Sequence, residues 1–185
     1  PSSNTAIRGI RTNYDFSSYR DVGSFNLFAA TTDRRIKFAF SDSTGTRMGD
    51  FIDGTSNTLA VNETCKNVID GDSPAWGYRG WVMTGIDWSV GINQWDWPVL
   101  GAWYTGDRTV RRGQLFSWGQ GGSLHPGGAN SCLADGSVRF ISETTESRKG
   151  YLNPAGTSSL PDPGTVGPVL HAISTIMNNE PTAVP

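Results

Sequence analysis

Residues 123–142, SLHPGGANSCLADGSVRFIS, place two apolar-alternating runs on either side of Asp135-Gly136. Alternation is the pattern of a strand with one buried face, and Asp-Gly is a pair that tolerates the positive φ angles of a two-residue type I′ turn. The stretch therefore predicts a β-hairpin. With that loop Leu133 faces Val138, Cys132 faces Arg139 and Ser131 faces Phe140. The expected core face is then Leu133, Val138 and Phe140, with Cys132, Arg139 and Ile141 on the other.

His125 lies ten residues before Asp135, and a straight strand of that length separates them by roughly 30 Å. A triad needs its histidine within hydrogen-bond reach of both partners, so Ser123, His125 and Asp135 make a poor hydrolase. The expected role of His125 is structural: an imidazole that donates to a backbone carbonyl and fixes the loop entering the hairpin. Catalytic residues and metal ligands are therefore not assigned, and a hydrolase centred on His125 is the weakest of the readings weighed.

Outward from the hairpin, residues 36–40 alternate Ile36, Phe38 and Phe40 and predict a half-buried strand. Residues 50–58 are dense in Asp, Gly, Thr, Ser and Asn, whose short side chains bond nearby backbone. Asp53, Gly54, Thr55, Ser56 and Asn57 read as a structural capping loop, followed by a buried strand at Leu59-Ala60-Val61. A surface loop is expected over 153–168, and Val169, Ile173, Ile176 and Met177 are spaced as one face of a terminal helix over 169–177.

Composition bounds the rest. One hundred and eighty-five residues with 36% hydrophobic content suit one domain, 1–185, with a core. A net charge of −2 lacks the field of a nucleic-acid binder. No apolar run approaches the roughly 18 residues that cross a bilayer. The chain starts at Pro1 without initiator Met or signal peptide, as expected of a processed product or fragment. Trp76, Trp81, Trp88, Trp95, Trp97 and Trp103 crowd the irregular region 76–103. They read as core or interface filling, with a platform for polysaccharide as the sharper alternative. Cys65 and Cys132 fit no zinc spacing; a disulfide and two buried thiols stand equally open. No cofactor is implied.

The segment HPGGANSCLADGSVRFIS resembles the His-x9-Asp-Gly signature, at His125, Asp135 and Gly136, of a large family of prepilin-like proteins abundant in planctomycete bacteria. DGTSNTLAVNE (53–63) resembles that family's Asp-Gly-Thr-Ser-Asn-Thr block, VLHAISTIMNNE (169–180) its C-terminal ending, and PSSN a segment that often follows a cysteine. Asn178-Asn179 replaces the usual glycine pair, and Cys132 stands where an aliphatic residue is common.

The resemblance implies an exported protein with a prepilin peptidase site and a hydrophobic helix ahead of a globular domain such as this one. The expected fold is α+β and pilin-like, a β-rich antiparallel sheet with short helices. The expected function is a non-enzymatic structural or accessory subunit of a cell-surface type IV pilus or type II secretion-like assembly. Its expected partners are other pilin-like subunits, with no nucleic acid, and with the membrane met only through the upstream helix. A carbohydrate-binding module using the tryptophans is the alternative.

Overall fold

The computed structural model describes residues 11–19, 33–40, 45–70, 85–95, 109–117, 119–148 and 167–177. Expectations for Trp76, Trp81, Trp97, Trp103, Asn178, Asn179, the Pro1 segment and most of the loop 153–168 fall outside these residues.

The described chain is mostly β. Its centre is an antiparallel sheet of four strands, in the order β1 (Tyr14–Phe16), β2 (Leu59–Glu63), β7 (Gly128–Leu133) and β8 (Val138–Ser142). Two parallel pairs join β3 (Asn67–Asp70) to β5 (Gln114–Ser117), and β4 (Asp87–Ile92) to β6 (Gln120–Gly121). One short helix, α1 (Val169–Ala172), follows Pro168.

The hairpin forms, but not in the expected register. Cys132 pairs with Val138, Ser131 with Arg139, Asn130 with Phe140 and Ala129 with Ile141, one residue off the two-residue-loop alignment. Gly136 N–H donates to Leu133 C=O and Leu133 N–H to Ser137 C=O, leaving a three-residue loop, Ala134-Asp135-Gly136. Gly136 has φ 87°, and Asp135 is not in the positive-φ region. This is a tight turn with a glycine bulge, not type I′.

Two contacts favour it. The Asp135 carboxylate accepts from both N–H (2.8 Å) and Oγ (2.7 Å) of Ser137, while Ala134 and Asp135 N–H donate to Thr58 and Thr55 C=O. One extra residue reverses the faces of β8. Leu133, Ala129 and Ile141 are buried on the inner face, whereas Val138 (66% exposed) and Phe140 (50%) point outward. The expected core face of Leu133, Val138 and Phe140 is corrected accordingly.

The inner face meets β4 and α1, and Leu59, Ile86, Trp88, Ile92, Ala129, Leu133, Ile141, Leu170 and Ile173 form one apolar cluster. A Cβ on Gly121 would come within 2.0 Å of the Trp88 ring, so the indole fills a place that only glycine leaves open. The 169–177 segment differs from expectation: its helix stops at Ala172, and Leu170, His171, Ala172, Ile173 and Ile176 are all buried, so it packs on more than one face. Its backbone is held from several sides, Ile173 C=O accepting from Leu59 N–H and Ile176 C=O from Ile52 N–H. The expected strand at 36–40 is a 3-10 turn over Arg34–Ile36 followed by single bridges, Phe38 to Thr175 and Phe40 to Ser18.

Candidate functional site

Because β2 and β7 run antiparallel, the 53–63 block and the 123–142 segment meet at both ends. At one end the Asp135 turn hangs on Thr55 and Thr58. The intervening loop is closed by Asn57 Nδ2 donating to Asp53 C=O (3.3 Å) and Thr58 Oγ1 to Gly54 C=O (3.0 Å), with Gly54 at φ 91°. Both side chains bond nearby backbone by donating to carbonyls. Ser56 and Thr55 lie in the 3-10 turn Thr55–Asn57.

At the other end stands Glu63, only 4% exposed. Its Oε2 accepts from Asn130 N–H (2.8 Å) and Nδ2 (3.4 Å), and Oε1 from Tyr14 Oη (3.5 Å). His125 Nε2 lies 3.3 Å from the same Oε1, with its ring half exposed. The imidazole thus faces a carboxylate and not the backbone carbonyl expected of it. Burial, followed by the Glu63 charge and hydrogen bond, raises the Tyr14 pKa.

The ten-residue spacing of His125 and Asp135 therefore takes in β7 and the loops at its two ends, so that the two residues stand at opposite ends of one strand. Ser123 is equally structural. Its Oγ donates to Gly128 C=O (2.7 Å) and accepts from His125 N–H (3.0 Å), while its N–H donates to Asn93 Oδ1 (2.7 Å). Asn93, held at φ 55°, also donates from Nδ2 to Glu143 Oε2 (2.7 Å).

Around Glu63 the outward face of the sheet is apolar. Register places Phe16, Val61, Cys132 and Val138 in one row across the four strands, and Tyr14, Glu63, Asn130 and Phe140 in the next. Tyr14 (43%), Phe16 (44%), Val138 and Phe140 are exposed, and the Phe16 ring meets Phe40 at 4.5 Å between centroids. The exposed groups lie on the two outer strands, β1 and β8, with half-buried Val61 and Cys132 between them.

Of the tryptophans, Trp88 is fully buried and donates from Nε1 to Glu63 C=O (3.1 Å), and Trp95 is half-buried. The cysteine question resolves as two free thiols. Cys65 is buried, and burial together with the Glu63 charge pushes it up to about 11; Cys132 is half-buried on the outer face. Among the described residues no group of three or more His, Cys, Asp or Glu is placed to hold a metal ion. No helix among them is long and apolar enough to cross a membrane.

A second polar cluster gave no signal in the sequence. Arg148, Asp87 and Ser89 are wholly buried. Arg148 Nη2 pairs with Asp87 Oδ2 at 3.1 Å, its Nε and Nη2 donate to Ser89 Oγ (2.9 and 2.6 Å), Ser89 Oγ bonds Asp87 Oδ1, and the guanidinium lies 5.2 Å from the centre of the Tyr19 ring. A buried charge needs such pairing.

No curated protein and no solved structure matches this chain. Residues 3–148 match the model of a family described as "Protein of unknown function (DUF1559)", and the chain, matched over well more than half its length, belongs to that family.

Proposed function

We propose that this domain is a non-enzymatic, exported structural or accessory subunit of a pilus-like or type II secretion-like assembly at the cell surface. In this reading the outer face of the sheet packs against a hydrophobic N-terminal helix or a neighbouring subunit. The observation that carries it is that face: Phe16, Val138 and Phe140 stand exposed beside half-buried Val61 and Cys132, with Glu63 held in place by His125 and Asn130. A solitary domain gains nothing by leaving such a row in water, since burial of apolar surface is worth roughly 25 cal/mol per Å2.

Arrangement supports the same reading. The residues of the signature and of the 53–63 block are spent on fastening β7 to β2 and on seating Glu63, which is scaffold work. The test is on source cells. Shearing should release the full-length protein in sedimenting filaments or surface complexes that also contain other pilin-like subunits. Recovery of the protein only as a soluble monomer, with no co-sedimenting subunit, would refute the proposal.

A further inference from the structure

Among the described residues the four-stranded sheet ends at β8, whose outer edge has no neighbouring strand. Val138 and Phe140 are exposed on the outer face and Arg139 is exposed on the inner one, so the edge is open from both sides. Proteins blunt such edges with proline, inward charges, bulges or very short strands. Here a five-residue strand, Val138-Arg139-Phe140-Ile141-Ser142, is left with a single charge.

The direction of its backbone groups follows from the hairpin. Leu133 N–H donates to Ser137 C=O, and Glu143 N–H to Gly127 C=O. In an antiparallel ladder, bonded and non-bonded pairs alternate. Ser137, Arg139 and Ile141 therefore turn their N–H and C=O toward β7, while Val138, Phe140 and Ser142 turn theirs away from it. Consistently, Asn130, opposite Phe140, sends its N–H to Glu63 and not to β8.

We propose that β8 is a self-complementary edge, and that two copies of this chain pair β8 to β8, antiparallel about a two-fold axis through Phe140, to make a continuous eight-stranded sheet. In this arrangement Phe140 N–H of each copy donates to Phe140 C=O of the other. Val138 N–H and C=O bond Ser142 C=O and N–H of the second copy. The Ser142 carbonyl, which already accepts from Thr145 N–H, has a second lone pair for this.

The side chains agree with the register. On the outer face the two Phe140 rings oppose each other, directly opposed aromatic residues being among the favourable cross-strand pairs, with Val138 beside Ser142. On the inner face Arg139 of one copy lies opposite Ile141 of the other, not opposite a like charge. Exposed Glu143 is the next position along on that face. A two-fold interface brings one patch against itself, so a strand that pairs with its own reversed sequence is what such a dimer requires. An edge of five residues is far smaller than a standard interface, which makes the dimer weak and concentration-dependent. It closes on itself and builds no filament.

Residue-resolved amide exchange on the purified chain, followed from low to high hundreds of micromolar, tests this. Val138 and Phe140 amides should gain protection by at least about tenfold as concentration rises, while Arg139 and Ile141, bonded to β7, stay protected throughout. Sedimentation should shift from monomer to dimer over the same range. Phe140→Lys, a change on an exposed side chain that places two ammonium groups face to face, should abolish both effects and leave the monomer folded. A chain that stays monomeric, or a dimer that forms without protecting Val138 and Phe140, or one that persists in Phe140→Lys, would overturn the proposal. None of these outcomes depends on whether the full-length protein enters a surface assembly.

Discussion

Glu63 and His171 show two opposite treatments of a buried polar side chain. Glu63 is supplied with donors on both oxygens. Glu63→Ala leaves Asn130 N–H without its acceptor and opens a gap under Tyr14, and should cost about 2–4 kcal/mol in urea unfolding. Glu63→Gln, which keeps an acceptor, should cost less. His171 is wholly buried with neither ring nitrogen bonded, against Phe38 at 6.3 Å between ring centres. Burial first, then the Arg148 and Arg35 charges, lower its pKa from 6.5 to about 3, opposed by Asp33. The unfolded chain binds that proton far more readily than the folded one. Stability is therefore full above the unfolded value and is lost as pH falls from 6.5 toward 3, by up to about 1.4 kcal/mol per pH unit from this group. The melting temperature of His171→Leu should fall less steeply over that interval than that of the parent; parallel curves would remove His171 as the cause.

At the scale of elements, the hairpin shows what alternation and turn residues convey and where they stop. Asp135-Gly136 marks the turn in the sequence, but a type I′ loop and a three-residue loop with a glycine bulge both welcome that dipeptide. What separates them lies elsewhere: the Ser137 donors on Asp135, and the docking of Ala134 and Asp135 on Thr58 and Thr55. A difference of one residue then moves Val138 and Phe140 from core to surface. Gly136→Val should cost about 1–3 kcal/mol from strain at φ 87° alone, since nothing crowds that position. Gly128→Ala should also destabilise, but by collision, because its Cβ would come within 2.2 Å of Ile141 C=O. Thermal unfolding of the two variants checks both, and a neutral Gly136→Val would count against the bulge.

The strand at Leu59-Ala60-Val61 was legible as a strand, but of the buried run expected there only Leu59 is buried, Ala60 and Val61 being half-buried. The pairing of Arg148 with Asp87 was not legible, because nothing in the polar run around Arg148 distinguishes a buried guanidinium from a solvated one. Glu63 was visible only as the last residue of a motif. Its role depends on His125, Asn130 and Tyr14 arriving from other strands, which a local reading does not supply.

At the scale of the whole molecule, the sheet has one face in the core and one face in water, and the second is the surface that the proposed assembly uses. Cys132 sits within it, half-buried between Val61 and Val138, while Cys65 is buried with a raised pKa and reacts poorly as a thiol. Maleimide therefore reports on Cys132. The most direct measurement is the labelling rate of Cys132 in the isolated chain at low micromolar concentration, compared with the full-length protein in its sheared surface assembly. The account predicts ready labelling of the isolated chain and at least about tenfold slower labelling in the assembly, where the outer face is covered. Equal rates in the two states would mean that this face stays open to water in the assembled form, and would contradict the account.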